Sequence, residues 1–155
     1  MEDEALSGAC EATPPQSVEL DSLSRAIKAS WDASTAYRGV VKAGNPAYGQ
    51  CYPTSRVVQW FHPDYEIARG EVRTPSGLES HFWNIHGSDP NAEWIDLSWS
   101  QFPAGSRVLG FDILDRTCLG DSPATQARCE LLRRRVLHHL GRGGRVRSAA
   151  GQAGT

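Results

Sequence analysis

Apolar positions repeat at helical spacing in three stretches of the chain, and strand-like runs lie between the second and the third. From Val18 to Trp31, the positions Leu20, Leu23, Ala26-Ile27 and Ser30-Trp31 share one face of an amphipathic helix. From Cys51 to Phe61, the residues Cys51, Thr54, Val58 and Phe61, with Val57 beside them, make a second stripe. Pro53 fits only a first turn, and Pro63 biases His62 away from helix, so this helix is predicted to stop near Phe61. Ser122-Pro123 supplies an N-cap and a first-turn proline for a third helix. That helix buries Leu131, Leu132, Val136 and Leu140 and is expected to end at Gly141.

Between these helices, Tyr65 to Arg73 reads as a strand. Pro75-Ser76-Gly77 then turns into Ser80-His81-Phe82-Trp83-Asn84-Ile85, and Glu93-Trp94-Ile95-Asp96-Leu97 follows as a third strand. The stretch from His86 to Asn91 is dense in turn formers. A three-stranded antiparallel meander results. Pairing Ile85 with Ala92 sets His81 opposite Asp96 on one face, whereas a one-residue slip would separate them. Phe102 to Arg116 has no clear period, although Val108-Leu109 and Phe111 are expected to bury. The prediction is an α+β fold with one domain over residues 18–141. Acidic residues 1–17 and the Gly/Arg/Ala-rich residues 142–155 are expected to be disordered tails.

Composition narrows the function classes. A chain of 155 residues with a 39% hydrophobic share suits one core. No apolar run approaches the ~20 residues of a membrane span, and the acidic N-terminus lacks a secretory h-region. Four cysteines without paired spacing point to a reduced, cytoplasmic protein. A net charge of −2 gives no general pull towards nucleic acid or membrane. Arg133-Arg134-Arg135 would spray around a helix without an aromatic stacking platform, so a solvated face is expected there.

The chemistry is concentrated in Cys51, His81 and Asp96. A cysteine at the positive end of a helix is favoured as the thiolate. A histidine can take its proton, and a carboxylate can hold that histidine in place.

Asn45-Pro46, Gly49-Gln50-Cys51, Val57-Val58-Gln59, Ser80-His81-Phe82-Trp83-Asn84 and Ile95-Asp96-Leu97 resemble the YunG family of small bacterial proteins, over roughly Leu20 to Leu140. Tyr52-Pro53 departs from that family's small residues. The order Cys, His, Asp also resembles papain-like folds of the transglutaminase and arylamine N-acetyltransferase type. That resemblance implies a papain-like core with Cys51 as nucleophile, His81 as base and Asp96 as orienting acid. It implies acyl transfer through a thioester on a peptide, protein or small amide or acyl substrate, without a cofactor. The backbone N–H of Cys51 and one side-chain amide would hold the oxyanion. Gln50 is adjacent to the cysteine, and Asn45 lies at the offset of the papain-like oxyanion glutamine. Asn84 and Trp83 are further substrate-binding candidates, the tryptophan as a cleft wall. The alternatives are a non-catalytic binding module on the same fold and a metal-dependent hydrolase using Cys51, His81, His86 and Asp96. The lack of a tight ligand pair counts against a metal site.

Overall fold

The computed structural model describes residues 18–87 and 91–154, with side chains to residue 142. The predicted tail 1–17 lies outside the described residues. Helix α1 (Leu20–Ser30) buries Leu23, Ala26, Ile27 and Ser30, the face that the spacing predicts. Helix α2 (Cys51–Phe61) begins at the cysteine with Pro53 in its first turn, and His62 is its C-cap. Helix α3 (Pro123–Gly154) starts where Ser122-Pro123 places it. Its backbone stays helical past Gly141, because a glycine stops a helix only where the chain turns left-handed; within a helix it costs ~1 kcal/mol relative to alanine. The three helices close on Leu23, Ile27, Val57, Val58, Phe61, Leu132 and Val136. The run of arginines diverges as expected: Arg133 lies over the Trp60 ring, while Arg135 reaches Ser30 O and Asp32.

Four antiparallel strands complete the α+β fold: β1 (Glu66–Thr74), β2 (Gly77–His86), β3 (Glu93–Ile95) and β4 (Arg107–Ile113), in the order β3-β2-β1-β4. The first three form the predicted meander, and β4 comes from the stretch without a clear period. It pairs with the outer edge of β1, with an irregularity between Glu71 and Val72. That bulge breaks the alternation by which a strand is recognised. The expectation that its apolar residues bury is corrected: Leu109 and Phe111 are exposed, although Phe111 meets the Trp83 ring edge-on at 5.5 Å, and Val108 packs against the Ala68–Trp83–Ile85 cluster half-buried. An edge strand has a neighbour on one flank only, which leaves more of its side chains open to solvent.

The β2–β3 register also differs from the expected one. Ile85 pairs with Trp94 and Asn84 with Ile95, a slip of two residues that sets Trp83, not His81, across from Asp96. Side chains alternate with period two, so a two-residue slip keeps His81 and Asp96 on one face. Along β2, Phe82 and Asn84 turn to α2, the first edge-on to the Tyr52 ring at 4.8 Å and the second donating to Ser55 O at 3.1 Å. Trp83 and Ile85 belong to the cluster on the opposite face. Gly70 lies opposite His81 on β1, where an added Cβ would collide with Gly110 O and Trp83 Cη2.

Candidate active site

The loop ahead of α2 is tied down before the cysteine is reached. Gly49 adopts φ +78°, and a Cβ there would meet Tyr37 N at 3.2 Å. Glycine permits both that left-handed turn and the hydrogen bond from Tyr37 N to Gly49 O at 2.9 Å. Gln50 follows, fully buried. Its Nε2 donates to Asp32 O at 3.0 Å, and its Oε1 accepts from the Thr35 hydroxyl at 2.8 Å. Arg135 holds Asp32 from α3 at 3.0 Å, and its hydrogen bond keeps that carboxyl below the usual carboxylate range.

Cys51 is therefore the first residue of a helix whose start is built from three directions. Its side chain is half-buried. No side chain caps this helix, and among the described residues nothing accepts from the Cys51 N–H. The orphan donors of a helix start favour negative charge beside them.

His81 is completely buried, and its Nε2 lies 2.7 Å from Asp96 Oδ2. Trp83 stacks on the imidazole at 5.6 Å, while Phe102 and Trp99 meet it edge-on at 4.8 and 5.8 Å. The pairing of β3 to β2 ends at Asn84, so the segment after Asp96 folds along the His81 end of β2 in place of a strand. Burial works against the charged ring. The hydrogen bond to Asp96, the nearby Cys51 side chain and the charges of both outweigh it, pushing His81 up to about 9. Nδ1 has no hydrogen-bond partner, although the thiol lies near enough to raise the pKa of the ring. The ring is thus fixed at one nitrogen and uncommitted at the other.

The four remaining candidates lie elsewhere. Gln50 spends its amide on Asp32 and Thr35, and Asn45 donates to Gln101 O at 3.0 Å. Asn84 ties β2 to α2, and Trp83 is a core residue under His81 rather than a cleft wall. None of the four lines the cleft of about 1110 Å³ that opens on Cys51. Its walls include Tyr48, Tyr52, Phe82 and Gln101. Tyr52 donates to Asp121 at 2.6 Å, and burial with that carboxylate raises the pKa of the phenol. Gln101, in the turn Trp99–Gln101, lines the cleft with its Nε2 donating to Ser98 O at 3.2 Å, and sequence reasoning missed it. No local sequence feature points to it, because the return of the chain past His81 brings it there.

Chemically, the site assembles a half-exposed thiol, an imidazole with one free nitrogen, a carboxylate and unpaired helix N–H groups. Among the described residues, no group of three or more His, Cys, Asp or Glu side chains is arranged to hold a metal ion. Nor is any described helix long and apolar enough to cross a membrane. A family model described as YunG protein matches residues 19–141. No curated protein and no solved structure matches the chain significantly.

Proposed function

The chain belongs to the YunG family, and we propose that it is a cysteine-dependent acyl-transfer enzyme working through a thioester on Cys51. One observation carries this reading: a fully buried histidine bonded to a carboxylate at 2.7 Å, its other nitrogen without a partner, and a helix-start thiol close enough to act on its charge. Such an arrangement suits a proton shuttle better than a core histidine, which would satisfy both nitrogens.

In the reaction, His81 Nδ1 takes the proton of the Cys51 thiol, and Asp96 keeps the ring in the required tautomer and stabilises its charge. The sulfur attacks the carbonyl carbon of an amide or related acyl group. The oxyanion is held by the Cys51 N–H and by a side-chain amide; of Gln50, Asn45 and Gln101 only the last lines the cleft, and its Nε2 exchanges Ser98 O for the oxyanion. Collapse breaks the bond to the leaving amine, which takes the proton from the imidazolium. Water or a second amine, deprotonated by His81, then attacks the thioester and restores the thiol. Water makes the enzyme an amidase, peptidase or deamidase, and an amine makes it a transferase. The same reading makes the fold a small papain-like or transglutaminase-like core. It also favours a reducing, cytoplasmic setting in which the thiol persists.

Limited iodoacetamide labelling at neutral pH, followed by peptide mapping, tests the reading. Cys51 should be modified before Cys118, which is exposed, and before Cys129, whose thiol burial pushes up to about 11. His81→Ala should abolish that preference. Cys118 reacting first, or Cys51 reacting equally fast without His81, refutes the assignment.

A further inference from the structure

Three arginines reach the cleft beside Cys51 from separate parts of the fold: Arg38 from the turn after α1, Arg69 from β1 and Arg128 from α3. The carboxylates lining the cleft are Glu79 and Asp121, and Asp121 is already engaged by Tyr52 at 2.6 Å and Arg56 at 3.3 Å. Among the described residues, Arg38 and Arg69 make no ion pair, and Arg128 bonds only the Thr125 hydroxyl, at 3.0 Å.

Arg38 is held where it is at a cost. Its φ of 56° and ψ of 18° are left-handed, the one such conformation at a non-glycine residue among those described. A Cβ makes that region unfavourable, so it persists only where surrounding structure imposes it. The bond from Tyr37 N to Gly49 O does so, fastening the turn to the loop that presents Cys51. The guanidinium groups of Arg38 and Arg128 then share one ring, Tyr37, at 5.2 and 5.6 Å from its centroid. Three arginines facing one uncommitted carboxylate, Glu79, leave the cleft with an excess of positive charge that attracts an anion.

We infer that the cleft takes an acyl donor bearing a carboxylate near its reacting carbonyl, and that Arg38, Arg69 and Arg128 bind this carboxylate. The inference rests on the thiol-enzyme reading and deepens it. The arginines select the substrate by charge, and the aromatic walls take its apolar part.

Iodoacetate and iodoacetamide provide the probe. In both, the Cys51 sulfur bonds the methylene carbon and iodide leaves, but only the first carries a carboxylate. Rates on the full chain at low salt are compared with rates on glutathione, which corrects for intrinsic reactivity. Corrected in this way, Cys51 should favour iodoacetate. The preference should fall roughly two- to fivefold for each of Arg38→Gln, Arg69→Gln and Arg128→Gln, and further in the triple variant. It should also collapse at about 0.5 M salt, whereas Arg25→Gln, on the exposed face of α1, should leave it in place. An unchanged preference in the triple variant overturns the inference while leaving the nucleophile assignment standing. A Cys51 inert to both reagents overturns the thiol-enzyme reading, and the inference with it.

Discussion

Asp96→Asn keeps the shape of the side chain and removes its charge, which isolates the electrostatic part of the His81–Asp96 contact. The distance between about 9 and the ordinary 6.5 for His81 corresponds to roughly 3 kcal/mol at ~1.36 kcal/mol per pH unit. Burial opposes the charged ring, so without the carboxylate the neutral ring is favoured and its pKa falls well below that of the parent. The sign of the stability effect follows. A histidine whose folded pKa is raised contributes stability that is fully present below pH 6.5 and lost as the pH rises through about 9. Thermal melts should therefore show Asp96→Asn less stable than the parent at pH 6, by up to ~3 kcal/mol or on the order of 10 °C, with the gap closing towards pH 10. Alkylation of Cys51 near neutral pH should slow by a large factor, because the ring is neither charged nor aimed. Asp64→Asn is the matched control: it breaks the other His–Asp contact, His86–Asp64 at 3.2 Å, whose partners are both exposed. Such a pair contributes 0–1 kcal/mol, so this variant should behave as the parent. Equal pH profiles for Asp96→Asn and the parent, or the losses appearing in Asp64→Asn instead, would refute the reasoning.

Two further substitutions test how the site is supported. Gly70→Ala forces a Cβ against Gly110 O, Trp83 Cη2 at 2.7 Å and Phe111 Cβ at 3.0 Å, directly opposite His81. Denaturant unfolding should show a loss of ~3 kcal/mol or more, since two of those contacts are backbone or ring and cannot yield cheaply. Gln50→Ala removes the two hydrogen bonds by which a buried amide ties the loop to the turn at Asp32–Thr35, whose hydroxyl and carbonyl then keep only partners within that turn, each other at 3.0 Å among them. The expected cost is ~1–3 kcal/mol in melts, together with slower Cys51 alkylation at neutral pH. A Gln50→Ala variant of parental stability would mean that the amide is not what secures the loop.

Hydrophobic spacing determined the buried faces of the first two helices, and the local caps and prolines placed the starts of the second and third, because both depend on neighbours within a turn or two. That Cys51 opens a helix was determined in this way, since Pro53 and Pro63 bound that helix on stereochemical grounds alone. The first three strands were legible for the same reason, and so was the shared face of His81 and Asp96, which a two-residue slip preserves. What depends on distant partners was not. The register of β3 is set by packing as well as by its turn, and β4 takes shape against β1 through a bulge that hides its period. Gln50, Asn45 and Asn84 look alike in sequence, as amides near the chemistry. Only the fold commits the first to Asp32 and Thr35, the second to Gln101 O and the third to Ser55 O. It brings Gln101 and three arginines from unrelated segments to the cleft instead. An amide's role is decided by which unpaired group lies within about 3 Å of it, and that proximity is created by long-range packing.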